Sequence, residues 1–199
     1  MEIKKLFGIE NKVAIVTGGS RGIGEMITSG FLANGVKVYI SARKAPALIE
    51  KAKELSDRYQ QECIPVPCDL STLDGIEELV GSISEKEEGI DFLINNAGAA
   101  WGEPFETFSE QGWDKVMNLN VKSMFFLTQK LKSHLLKRCT LDDPSRVINI
   151  GSIDGLNVPA LETFSYSASK ASVHHLTRVM AAKLVKENIL VNAIAPGPY

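Results

Sequence analysis

Six short apolar runs, each handing over to a longer segment of helical period, constrain this chain more than any single residue does. Residues 12–17, 37–42, 63–67, 92–94, 146–150 and 190–195 have the length and composition of buried strands. Helical stretches fall between them at 23–34, 46–60, 73–87, 111–136 and 164–187. Strands joined by such crossovers pair in parallel, and the crossovers are right-handed. The expected fold is therefore α/β: a doubly wound parallel sheet in three layers (α/β/α) with strand order 3-2-1-4-5-6. Punctuation agrees with the pattern. Asn34-Gly35 stops the first helix, Pro46 opens the second, Ser109 can cap the fourth, and Pro196-Gly197-Pro198 closes the last strand. With 199 residues and 44% hydrophobic side chains, a single domain spanning 1–199 can close a core around this sheet.

Composition narrows the function. Net charge is −2 and the basic residues are scattered, so a nucleic-acid partner is not expected. Cys63, Cys68 and Cys139 lack CxxC or Cys/His ligand spacing, and His174-His175 face different ways on a helix. Neither set predicts a metal site, and the odd cysteine count argues against a disulfide framework. The first twelve residues mix charges, and no run is apolar enough to span a bilayer. The expected setting is the cytoplasm, with a small-molecule ligand and no membrane partner.

Between the first strand and first helix stands Thr17-Gly18-Gly19-Ser20-Arg21-Gly22-Ile23-Gly24. A glycine turn that opens a helix points unpaired N–H groups and the positive helix end at a pyrophosphate. The spacing is Gly-x3-Gly-x-Gly rather than Gly-x-Gly-x-x-Gly. The second strand ends in Ser41-Ala42-Arg43-Lys44, where a site for NAD would carry a carboxylate on the ribose. Without one, Arg43 and Arg21 can fork onto a 2′-phosphate, which predicts NADP(H) as cofactor. Asp69, beside Leu70, can accept from the adenine amino group, and Asn96, Ala97 and Gly98 follow the fourth strand. Candidate cofactor contacts are thus Gly18, Ser20, Arg21, Gly22, Ile23, Gly24, Arg43, Asp69, Leu70, Asn96, Ala97 and Gly98.

Tyr166 and Lys170 stand four apart in Tyr-Ser-Ala-Ser-Lys and share a helix face. An ammonium within about 4–6 Å of a phenol favours the phenolate, so the pair reads as a tuned proton donor. Ser152, after the fifth strand, offers a hydroxyl to hold a substrate oxygen.

Together these markers resemble the short-chain dehydrogenase/reductase family over nearly the whole chain. The matching residues are the turn at 17–24, Asn95-Asn96-Ala97-Gly98, Asn120, Gly151-Ser152, Tyr166 with Lys170, and Pro196-Gly197. The resemblance implies a Rossmann-type fold and carbonyl reduction to a secondary alcohol. It implies Tyr166 as general acid/base and Ser152 as the group positioning the carbonyl. Lys170 would bind the nicotinamide ribose while tuning Tyr166, and Asn120 would support a water-linked proton relay. Nicotinamide contacts are implied at Pro196 and Gly197, and pairing into a homodimer or homotetramer through the helices at 111–136 and 164–187. Within the family, Arg21, Arg43, Ala100-Trp101-Gly102 and the run 147–152 resemble NADPH-dependent 3-oxoacyl reductases of the rhamnolipid-associated kind.

Members of the family usually continue through a substrate lid and a seventh strand. The chain is accordingly expected to be a piece lacking both. Trp101, Leu156, Val158 and Leu161 can line an apolar substrate wall or serve as loop packing. Alcohol oxidation and a nucleotide-binding sensor or scaffold that has lost catalysis stay open as alternatives.

Overall fold

The structure is a computed structural model that describes residues 7–197. Pro198, expected to help close the last strand, lies outside the described residues. The elements alternate as the apolar runs require: β1 (Val13–Thr17), α1 (Gly22–Ala33), β2 (Lys37–Ala42), α2 (Ala45–Tyr59), β3 (Cys63–Pro67), α3 (Leu73–Ser84), β4 (Phe92–Asn95), α4 (Glu110–Met117), α5 (Ser123–Arg138), β5 (Ser145–Ile150), α6 (Phe164–Leu184) and β6 (Ile189–Ile194). All five strand pairings are parallel, in the order β3-β2-β1-β4-β5-β6.

Both faces of the sheet are covered, so neighbouring strand residues serve opposite cores. Val13 and Ile15 of β1 join Leu93, Leu79, Leu127 and Val173 on one side, while Ala14 and Val16 join Leu32, Val38, Leu48 and Leu55 on the other. Burying each of these valine, leucine and isoleucine side chains contributes about 1.5–3 kcal/mol. The strands can therefore be apolar at nearly every position, as parallel strands between helix layers must be.

Helix ends follow local chemistry. Ser109 accepts from Gly112 N at 3.1 Å and caps α4. Thr72 does the same for α3 through Gly75 N at 3.0 Å. No helix among the described residues is long and apolar enough to cross a membrane.

One expectation fails. The stretch 111–136 is not a continuous helix: a π-helical turn at Asn118–Lys122 separates α4 from α5. The apolar pattern runs through the break without a proline or capping signal, so periodicity alone misses it. A π turn places an extra residue in the helix and is frequent at functional sites. Here it carries Asn120, only 4% exposed.

Candidate active site

The strand order reverses between β1 and β4, and a crevice opens at their carboxyl ends. Thr17, the last residue of β1, fastens the two strand ends together. Its Oγ1 donates to the Ile94 carbonyl at 3.2 Å and accepts from Asn96 N and Ala97 N, each at 2.9 Å. Asn96 Nδ2 returns the connection, donating to the Thr17 carbonyl at 2.8 Å and the Gly18 carbonyl at 3.2 Å.

The glycine turn is held in a shape that side chains would obstruct. Gly18 has φ +64°, in the left-handed region. A Cβ on Gly24 would stand 2.2 Å from the Gly18 carbonyl oxygen. The α1 backbone therefore lies directly against the turn, and Arg21, at its N-cap, makes no side-chain capping bond.

Two joined cavities occupy the crevice. The larger, about 870 Å³, is lined by Gly18, Ser20, Arg21, Gly24, Arg43, Asp69, Leu70 and Ala97 among others. The smaller, about 450 Å³, is lined by Ser152, Tyr166, Lys170, Pro196 and Gly197, with Ala99, Ala100 and Ile153 as apolar wall. Ile23, Asn96 and Gly98 border both. Of the candidate catalytic and cofactor-contacting residues, only Gly22 and Asn120 stand outside the two linings. Gly22 has φ +54° at the start of α1 and turns the chain into the helix.

In the larger cavity, Lys51 is neutralised by Glu25 at 3.0 Å and Glu54 at 2.6 Å. Arg21, Arg43 and Lys44 line the same cavity and form no ion pair among the described residues, and neither do Glu50 and Asp69 beside them. Asp69 does not cap α3, because Thr72 does. Its Oδ1 accepts from Ser71 N at 3.0 Å and Ser71 Oγ at 2.8 Å.

In the smaller cavity, the Lys170 Nζ lies 5.5 Å from the centre of the Tyr166 ring. It donates to the Ile150 carbonyl at 2.7 Å. Burial pushes the ammonium down to about 8, since the charged form loses its hydration. Ser152 Oγ accepts from Asp154 N at 3.2 Å, capping a short turn at Ile153–Gly155. That turn is docked on α6 by Ser167 Oγ, which donates to the Asp154 carbonyl at 2.7 Å.

Asn120 is fully engaged elsewhere. Its Oδ1 accepts from Ala99 N at 2.8 Å, and its Nδ2 donates to the Ala99 carbonyl and to Ser169 Oγ, both at 2.9 Å. The side chain therefore ties the Ala99 backbone of the cavity wall to α6. The four residues open to reading as substrate wall or loop packing lie as follows. Leu156, Val158 and Leu161 are 64%, 97% and 74% exposed. Trp101 packs over Gly112 with the Lys115 ammonium 4.3 Å above its ring. None of the four lines the smaller cavity.

Sequence reasoning missed a buried polar ladder beneath the site. Asn95 donates to Asn149 at 2.8 Å and Thr128 at 3.1 Å, and Asn149 donates to Thr177 at 2.9 Å. Only knowledge of which strands are neighbours identifies these pairs. It also missed His174, whose Nε2 meets the Ser152 carbonyl oxygen at 3.0 Å. A signal existed for that residue: positions 166, 170 and 174 form one stripe along a helix.

The short chain dehydrogenase family matches residues 12–199. The chain belongs to this family and is an NAD(P)-dependent oxidoreductase. It is 42% identical to the rhamnolipids biosynthesis 3-oxoacyl-[acyl-carrier-protein] reductase of Pseudomonas aeruginosa over 193 residues, 97% of this chain and 75% of that protein. The Pseudomonas aeruginosa RhlG/NADP active-site complex superposes with TM-score 0.94 at 42% identity, covering 100% of this chain and 76% of that one. L-sorbose reductase from Gluconobacter frateurii, complexed with NADPH and L-sorbose, is similar at TM-score 0.90 and 30% identity, covering 96% and 70%.

Proposed function

We propose that the chain is an NADPH-dependent reductase that converts a 3-oxoacyl compound or similar ketone to a secondary alcohol. The observation that carries this reading is the meeting of Ser152, Tyr166 and Lys170 at one cavity, continuous through Ile23, Asn96 and Gly98 with the glycine-turn cavity. The residues fit a dinucleotide with a 2′-phosphate. Gly18 and Gly24 line the larger cavity, and the end of β2 carries Arg43 in place of a carboxylate. The two solved relatives named above hold the phosphorylated form of the nicotinamide cofactor.

Arg21 and Arg43 would take the 2′-phosphate, Asp69 would face the adenine, and Pro196 and Gly197 would border the nicotinamide. When bound, the reduced nicotinamide supplies the hydride. Ser152 Oγ, already an acceptor from Asp154 N, keeps its own O–H free to donate to the substrate oxygen. Tyr166 delivers the proton to that oxygen. Lys170, anchored on Ile150, holds positive charge beside the phenol ring. This reading places the enzyme in the cytoplasm as a homodimer or homotetramer, with Phe125 of α5 and Val179 of α6 among the exposed apolar residues available for pairing.

The test is NADPH and NADH consumption against 3-oxoacyl esters, simple ketones and keto-sugars. Turnover of a 3-oxoacyl ester with NADPH favoured over NADH is expected. Equal use of both cofactors removes the preference, and silence across the panel removes the reductase.

A further inference from the structure

α6 grips the end of β5 with two donors, and only one belongs to the expected catalytic set. Lys170 holds the Ile150 carbonyl at 2.7 Å, and one turn further on His174 holds the Ser152 carbonyl at 3.0 Å. Both bonds come from the stripe that carries Tyr166, and they flank Gly151 on either side. A carbonyl oxygen only accepts, so Nε2 of His174 carries the proton.

Contact with Gly151 is equally specific. A Cβ at position 151 would fall 2.3 Å from His174 Cε1 and 2.7 Å from Nε2. The imidazole thus fills the space that the missing side chain leaves. His174 does not line the cavity, so it does not touch substrate. The Ser152 carbonyl also accepts from Gly155 N at 3.1 Å. Removing the imidazole therefore does not leave that oxygen unpaired, and the same peptide's Ile153 N–H still donates to the Pro196 carbonyl at 3.0 Å; what is lost is one of the bonds on Ser152 and the packing over Gly151.

We propose that His174 is a positioning residue acting through Ser152: its ring packs against Gly151 and its Nε2–H holds the Ser152–Ile153 peptide, fixing the backbone on both sides of Ser152 so that its hydroxyl faces the substrate oxygen. The proposal rests on the reading of Ser152 as the group that holds the carbonyl. A hydroxyl displaced by a fraction of an ångström loses its alignment while the glycine-turn cavity is untouched, so the effect falls on kcat and not on cofactor binding.

The experiment uses the purified chain with NADPH and ethyl 3-oxohexanoate as probe. His174→Leu is expected to lower kcat by roughly 10- to 100-fold with the NADPH dissociation constant unchanged within about twofold. His174→Gln, whose amide N–H can reach the same carbonyl, is expected to recover most of that loss, and His175→Leu, on the exposed side of α6, serves as the unaffected control. A second arm needs no turnover: Gly151→Ala should lower the unfolding midpoint in wild type and much less in a His174→Ala background. An active enzyme in which His174→Leu keeps wild-type kcat, in which His174→Gln is as slow as His174→Leu, or in which the Gly151 and His174 effects on unfolding add independently, overturns the proposal. A wild-type protein that reduces no ketone overturns the reductase reading and the kinetic role with it, whatever the unfolding cycle gives.

Discussion

The Lys170 ammonium donates to the Ile150 carbonyl at 2.7 Å, joining the helix that carries Tyr166 to the end of β5. Its residue is only 6% exposed, and burial alone lowers its pKa from 10.5 to about 8. The charge that serves the site is held at a cost to the fold.

That cost has a pH signature. Below about 8 the amine is charged in both folded and unfolded chains, and the full penalty for burying it applies. Between 8 and 10.5 the folded chain has lost the proton that the unfolded chain keeps, so stability rises with pH. Relative to Lys170→Met, wild type should gain about 3 kcal/mol between pH 7 and pH 10.5 in urea unfolding. A difference that stays constant with pH contradicts the buried ammonium.

Arg43 lines the larger cavity and has no ion-pair partner among the described residues. Arg43→Ala should weaken NADPH binding by roughly 10- to 100-fold, the equivalent of one charge-assisted bond, and leave NADH binding nearly unchanged. Calorimetric titration with both cofactors measures this. Equal losses for the two would place Arg43 away from the 2′-phosphate.

Two glycines of α1 should behave in opposite ways. A Cβ on Gly24 meets the Gly18 carbonyl at 2.2 Å, whereas one on Gly30 meets nothing within 4 Å. Gly24→Ala should destabilise by about 1–3 kcal/mol and impair cofactor binding. Gly30→Ala should stabilise by about 0.5–1 kcal/mol through helix propensity. Thermal unfolding of the two variants is enough to check the contrast.

Asn120→Ala removes both bonds to the Ala99 backbone and the bond to Ser169. The stranded Ala99 groups make a loss of about 2–4 kcal/mol the expected outcome in denaturant unfolding. A variant as stable as wild type would show that the π turn holds without its side chain.

Much of this architecture can be read from the chain itself. Buried strands between helix layers must be apolar along their length, and Gly18, Gly22 and Gly35 mark turns with positive φ, so strand order and crevice follow from pattern and handedness. The cavity residues Ser152, Tyr166 and Lys170 stand in short motifs and were legible too. The π turn was not, because Asn120 is drawn inward by Ala99 and Ser169, partners distant in sequence. The same holds for Thr17, Asn95 and Asn149, ordinary polar residues whose role appears only when β1, β4 and β5 lie side by side. Leu156, Val158 and Leu161 stayed open between substrate wall and loop packing because apolar character gives no information on which way a loop faces; the structure leaves them exposed.

Tyr166→Phe tests the central claim most directly, since it deletes one hydroxyl from the cavity and leaves the ring beside Lys170. Ketone-dependent NADPH oxidation should fall by at least about 10²–10⁴-fold, the range of acid–base catalysis, while NADPH affinity stays near that of wild type. Turnover retained in this variant would take the phenol out of the reaction and contradict the assignment of the site.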